Sequence, residues 1–241
     1  MKTLGKFSKS KISDVPVSLK SKEYQELNKE ISHFNGQGIY VYSFSQHRML
    51  YAIGWDDLLG YENEEINMLH LVNITAPEYA KFSNEINDKA LLFLSTKTKK
   101  LKEYSFTLET KKVHKSGEHV PLVWRVNVHT VKEGRVDQII GIAERINTIK
   151  LGSIMQYSAY GPDKSNFEEM LNKELFLHWA ISKKEKEALS LAAKGLTFKE
   201  IANKLSVSVS AVEKRIIPLY KKFEVKSLPH LVSFAHENNI L

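Results

Sequence analysis

Three Ser/Thr-x-x-Glu spacings crowd the last quarter of the chain, at Ser182/Glu185, Thr197/Glu200 and Ser210/Glu213. In each, a hydroxyl and a carboxylate can satisfy the donors left open at a helix start. Starts so close together leave room only for short helices and tight turns, which confines residues 181–241 to an all-helical module. Gly195 falls where the first helix must end in a left-handed residue. The pattern predicts a second helix over about Phe198–Leu205, burying Ile201, Ala202 and Leu205, and then the turn Ser206-Val207-Ser208. A third helix follows over roughly Val209–Phe223.

Two helices joined by a turn of three or four residues make a helix-turn-helix, whose second helix enters the major groove. The third helix divides into two faces. Val209, Val212, Ile216, Leu219 and Phe223 form an apolar stripe for the core. Opposite lie Ser210, Ala211, Lys214, Ile217, Pro218 and Lys221, flanked by Arg215 and Lys222. Lys214 and Arg215 are placed for bases or phosphates, and Lys221 and Lys222 for phosphates. A solvated basic face on an ordinary amphipathic helix is the competing interpretation. Pro218 removes one backbone bond and crowds the Lys214 carbonyl, a defect of about 3 kcal/mol unless a bend absorbs it. Charge follows the same division: the formal net charge is +7, and Ile181–Leu241 holds 11 Lys+Arg against 6 Asp+Glu.

The run from Ile181 to Ser227 resembles the LuxR-type (GerE-like) helix-turn-helix of bacterial transcription regulators. Glu185, Glu187, Leu189, Gly195, Lys199, Glu200, Ile201, Ala202, Leu205, Ser208, Val212, Lys222 and Val225 carry the match. The resemblance implies binding of double-stranded DNA through Thr197, Lys199, Ser208, Ser210, Ala211, Lys214, Arg215, Pro218, Lys221 and Lys222. It also implies a fourth helix, here Leu228–Asn238, that pairs two copies of the chain. Leu231, Val232 and Phe234 are its apolar residues, available either for that pairing or for the core under the third helix. The family usually has Thr, His and Gly where Ala211, Arg215 and Glu224 stand, so the turn at Glu224 is expected to be strained or differently shaped.

The rest of the chain has a different texture. Residues 1–22 are rich in Lys and Ser without periodicity and are expected to form a flexible basic arm or a loosely docked extension. A helix is predicted from Glu23 to Phe34, then strands at Ile39–Ser43 and Met49–Ile53, and short helical turns to Leu71. Pro77 opens a longer helix reaching about Leu94. Three strands follow, Tyr104–His114, His119–Val131 and Val136–Ile146, separated by the Gly-containing turns Lys115–Glu118 and Lys132–Arg135. Between Ile149 and Ser165 no element is predicted, and Phe167–Trp179 is expected to be a linker helix. Together these elements give an α+β fold: an antiparallel sheet with flanking helices, followed by the four-helix module.

This order of elements is similar to that of a PAS domain. The segment Ile53–Ile66, which contains Leu59-Gly60-Tyr61-Glu62, and the hairpin His114–Val120 resemble that family in detail. The resulting organisation is an arm (1–22), a PAS-like sensor (23–148), a linker with a helix (149–180) and the LuxR-type domain (181–241). PAS resemblance implies a cup that receives a small molecule or a protein signal. Tyr40, Tyr42, Tyr51, Phe106 and Trp124 are the candidates to line it, although aromatics alternating on strands more often fill a plain core. No cofactor is expected. The chain has no Cys, which removes flavin-adduct and thioester chromophore chemistry. The Pro77–Leu94 helix has no His to ligate haem.

Nothing points to catalysis: phosphate-loop, H-E-x-x-H and G-x-S-x-G motifs are missing, and the nine His are scattered without metal-ligand spacing. No apolar run approaches the ~18–20 residues of a membrane span, so the default is a cytoplasmic protein with no membrane partner. The function expected is a dimeric DNA-binding transcriptional regulator under control of its PAS-like domain. The alternative is a PAS-based interaction module that has lost sequence-specific DNA binding, for which Ala211, Pro218 and Glu224 speak. A PAS-like domain whose bound cofactor is the point of the chain is a third reading.

Overall fold

A computed structural model describes residues 5–146, 157–166, 181–237 and 240–241. The chain divides into two compact units, the first holding the described residues up to Asn166 and the second those from Ile181 onward. The stretch expected to form the linker helix, Phe167–Trp179, lies outside the described residues.

The first unit is built on six antiparallel strands: β1 (Gln37–Ser43), β2 (Arg48–Ile53), β3 (Ser105–Val113), β4 (His119–Lys132), β5 (Arg135–Arg145) and β6 (Tyr157–Tyr160). Their order across the sheet is β2-β1-β5-β4-β3-β6. Strands β3, β4 and β5 are consecutive hairpin neighbours, as the Gly-containing turns require. By contrast, β1 reaches across the chain to β5, with Tyr40 opposite Gly141. A β-carbon at Gly141 would fall 2.1 Å from Tyr40 Cε1, so this glycine makes the space in which the tyrosine ring lies. The sixth strand was not expected; Tyr157–Tyr160 pairs with Ser105–Leu108 along the β3 edge.

Helices cover both faces of the sheet. On one face α2 (Lys22–Glu30) packs Leu27 with Ile39, Val41, Leu50 and Tyr51. On the other lie α3 (Trp55–Leu59), α4 (Met68–Asn73) and α5 (Pro77–Ser95), over a core that includes Tyr40, Tyr42, Trp55, Leu122 and Trp124. The Trp55 indole donates to the Ile39 carbonyl at 3.0 Å and its ring lies 5.6 Å from that of Trp124. After α4 the chain hydrogen-bonds to β3: Ala76 N–H donates to Lys111 O and Val113 N–H to Ile74 O.

Residues 5–17 are docked on the domain, the second of the two forms expected of them, and by main-chain hydrogen bonds at several points. The arm begins with α1 (Lys6–Lys9), where Ser8 N–H donates to Asp88 Oδ1 of α5 at 2.7 Å. Beyond it the backbone bonds to three separate places: Leu69 N–H to Ser13 O, Met49 N–H to Val15 O and Val17 N–H to Ile66 O. Val17 is buried. Main-chain bonding of this kind leaves no side-chain period to read, which is why the segment looked unstructured.

Among the described residues the second unit has four helices, α6 (Lys183–Ala193), α7 (Phe198–Lys204), α8 (Val209–Lys222) and α9 (Leu228–Glu237). Their shared core includes Leu189, Ile201, Val212, Ile216, Leu219 and Leu231, all buried. Capping boxes form at Ser182/Glu185 and Thr197/Glu200 as expected. The third helix is capped differently. Ser208, not Ser210, is the capping residue, and its hydroxyl accepts from Ala211 N–H at 3.2 Å. Val209 also departs from the expected stripe. As the first residue of α8 it projects past the core and is 39% exposed.

Candidate nucleic-acid interface and internal cavity

The α7–α8 pair is separated by Leu205–Ser208, with Ser206 left-handed at φ +53°. Val207 N–H donates to Ala202 O at 2.9 Å, which pulls the turn against α7 and lets Val207 pack into the core. A turn this short fixes how α8 crosses α7 and leaves the face of α8 away from the core open. Lys214, Ile217, Pro218 and Lys221 are exposed there, as is Ser210, while Ala211, Arg215 and Lys222 are half-buried at its margins. From α7 and its start, Thr197 and Lys199 are exposed as well.

Two of these side chains have local duties that the sequence did not separate from ligand contact. The Thr197 hydroxyl donates to Glu200 Oε2 at 2.7 Å and accepts from Glu200 N–H at 3.3 Å. The Thr197 backbone N–H, and after it the hydroxyl, hold the Glu200 carboxyl below the usual carboxylate range. An anionic carboxylate beside Thr197 and a committed hydroxyl proton leave Lys199 as the better phosphate donor of the two. At Ser208 the oxygen accepts from the helix, which leaves the hydroxyl free to donate.

Arg215 is the clearest unsatisfied group of this surface: its Nη1 is buried and has no hydrogen-bond partner among the described residues. A guanidinium nitrogen in that state is incomplete without an acceptor. Pro218 lies inside α8, which continues to Lys222, and its lack of an N–H leaves the Lys214 carbonyl without its usual helical donor. Glu224, where strain was expected, is left-handed at φ +56°. Apolar residues of α9 turn inward: Leu231 and Ala235 are buried, and Phe234 stacks on Phe223 at 5.1 Å between centroids.

In the first unit a cavity of about 110 Å³ lies between the inner face of the sheet and α4 and α5. Tyr40, Phe106 and Trp124, three of the five expected pocket residues, line it. Tyr42 faces the same side but is not in its wall; its hydroxyl donates to Lys11 O at 3.1 Å, under the arm. Tyr51 lies on the opposite face. The pairing Val41↔Tyr51 followed by Tyr42↔Met49 leaves Leu50 as an extra residue in β2. That bulge turns Tyr51 towards α2, where its hydroxyl donates to Asn28 Oδ1 at 3.2 Å. One cavity residue was not anticipated: Lys112, on β3, is only 5% exposed. Strict alternation along Phe106, Leu108, Thr110 and Lys112 was the available signal, since it puts the lysine on the inward row.

Residues 180–235 match the family model of GerE, the bacterial regulatory proteins of the luxR family. The oxygen regulatory protein NreC of Staphylococcus carnosus (strain TM300) is 46% identical over 61 residues, which is 25% of this chain and 28% of that protein. The chain thus spans little more than a quarter of the length of the curated relatives it matches. Among solved structures, the phage VqmA–DPO complex aligns over 88% of this chain and 85% of its own, at 17% identity and a TM-score of 0.38. The PAS domain of a Colwellia psychrerythraea protein aligns over 51% and 96%, at 15% identity and a TM-score of 0.39. Residues 180–235 are thus similar, as a domain, to the GerE domain of the luxR family of bacterial regulatory proteins.

Proposed function

We propose that the chain is a DNA-binding transcription regulator in which the PAS-like first unit controls a helix-turn-helix that reads the major groove. The observation that carries this reading is the outward face of α8. Lys214 and Lys221 stand exposed on it, and Arg215 at its margin has a buried guanidinium nitrogen without an acceptor. Exposed ammonium groups such as those of Lys214 and Lys221 meet phosphate oxygens, and a short polar start at Ser208 and Ser210 permits close approach to base edges. The match of residues 180–235 to a family of regulatory proteins supports the same reading. Two copies would set their α8 helices about 34–36 Å apart on a near-palindromic site. Double-stranded DNA and a second copy of the chain are therefore its partners, and the cytoplasm its place of work.

Selection of random duplex DNA on the full chain, with bound fraction titrated against salt, tests the reading. An enriched inverted repeat is expected, and Lys214→Ala with Arg215→Ala should weaken its binding without loss of fold. Lys221→Ala should weaken binding to all sequences and reduce the salt slope by about one. Wild-type binding by the Lys214/Arg215 double variant would remove α8 from the interface. A second reading, a protein-interaction module, is favoured by Ile217, which is 50% exposed in the middle of this face. It predicts no enrichment and no salt-dependent duplex binding.

A further inference from the structure

The cavity of the first unit combines apolar walls with one charge. Tyr40, Ile86, Leu94 and Phe106 are among the residues of a surface suited to a hydrocarbon body, and Lys112 brings the only ammonium group among the described residues of its lining. Lys112 Nζ donates to Leu71 O and to Thr75 Oγ1, each at 2.7 Å, and lies 4.9 Å from the centre of the Trp124 ring. Both hydrogen-bond partners are neutral. An ammonium has three protons, so one donor remains, and no carboxylate of the described residues pairs with it. Two further polar atoms of lining residues, Trp124 Nε1 and Ser8 Oγ, are buried without a hydrogen-bond partner among the described residues. A methionine would fill the Lys112 position at no electrostatic penalty. Buried charge and orphaned polar atoms of this kind are expensive unless something completes them.

We propose that this cavity binds a small organic monocarboxylate with an apolar body no larger than one ring, its carboxylate held by Lys112. A single cation calls for a single negative charge; a phosphate or sulfate dianion would bring an excess charge into apolar walls. At about 110 Å³ the space is of the order of the ~150 Å³ cavity that accommodates benzene in an engineered protein. Burial pushes the Lys112 ammonium down to about 7, and an anion at Nζ would reverse that by stabilising the charged form. The arm contributes Ser8 and Ile12 to the wall. This inference concerns the first unit alone and stands or falls separately from DNA binding by the second.

The test is calorimetric titration of the full chain, without DNA, at about pH 6 with two acids and their neutral amides: benzoate against benzamide, and hexanoate against hexanamide. At least one acid is expected to bind ten times or more tighter than its amide. Lys112→Met should bring that ratio close to one while the amide binds both proteins alike. In the wild-type protein the indole N–H resonance of Trp124 should shift on adding the acid, whereas that of Trp55, held on Ile39 O, should stay. The resonance test keeps the proposal open to refutation even if Lys112→Met fails to fold. Equal affinity for acid and amide, a preference that survives Lys112→Met, an unmoved Trp124 resonance, or no saturable binding of either acid would each overturn it.

Discussion

Lys112 also makes a prediction about stability that needs no ligand. Its ammonium ordinarily releases its proton near 10.5, and burial lowers that to about 7. A tenfold change in a proton equilibrium is about 1.4 kcal/mol, so the folded domain carries a penalty of up to roughly 5 kcal/mol while the lysine is charged. Below pH 7 both folded and unfolded chains hold the proton and the penalty is complete. Between about 7 and 10.5 only the unfolded chain holds it, so stability rises with pH, and above 10.5 the penalty is gone. Replacement by methionine removes the penalty but leaves Leu71 O and Thr75 Oγ1 without their donor, at about 1–3 kcal/mol each. These opposing effects make the net change at neutral pH small. The pH dependence is the diagnostic quantity, because all other titrations cancel between the two proteins. Urea unfolding of wild type and Lys112→Met, followed by fluorescence of the buried Trp55 and Trp124, should be measured from pH 6 to 10. Wild type should gain on the variant by about 1.4 kcal/mol per pH unit above pH 7, approaching 4 kcal/mol at pH 10. Parallel stability profiles would show that Lys112 is not a buried ammonium, and the argument from its burial would fail.

Three other substitutions probe the backbone. Glu224→Gly should stabilise the second unit by about 1 kcal/mol, because a left-handed residue without a β-carbon relieves the strain at φ +56°; an unchanged thermal midpoint would contradict this. Pro218→Ala restores a helical hydrogen bond to the Lys214 carbonyl and should add about 2–3 kcal/mol, read by urea denaturation of the same unit, with a loss of stability as the contrary result. Gly141→Ala places a methyl against the Tyr40 ring and should cost the first unit about 1–3 kcal/mol, while a neutral effect would mean that the ring has space to move.

How far the sequence could be read depended on whether structure left a side-chain signature. The second unit was legible because Ser182/Glu185, Thr197/Glu200 and Gly195 mark helix ends by chemistry, and Val212, Ile216 and Leu219 repeat at helical spacing. Ser210/Glu213 misled because the same spacing recurs one step inside α8, after Ser208 has already capped it. In the first unit the paired turns announced β3, β4 and β5. Tyr157–Tyr160 escaped because four residues are too few to show alternation. Tyr51 was assigned to the cavity because a bulge of one residue at Leu50 is invisible in composition, yet it exchanges the faces of everything on one side of it. Lys112 is the opposite case: the strand period placed it inward, but a lysine there contradicts the habit of its side chain, and habit is what sequence reading weighs.

The partnership of β1 with β5 has a consequence during synthesis. About 100 residues separate the end of β1 at Ser43 from the end of β5 at Arg145. At about 5–20 residues per second a ribosome takes roughly 5–20 s to supply that partner. For all of that interval the Gly38–Tyr42 run, buried on both faces in the finished sheet, emerges with only β2 to pair with and an open edge on its other side. The first unit is therefore born late relative to its own beginning, at the stage when nascent chains most need shielding from one another. The second unit, made of neighbouring helices, can fold as soon as it leaves the exit tunnel.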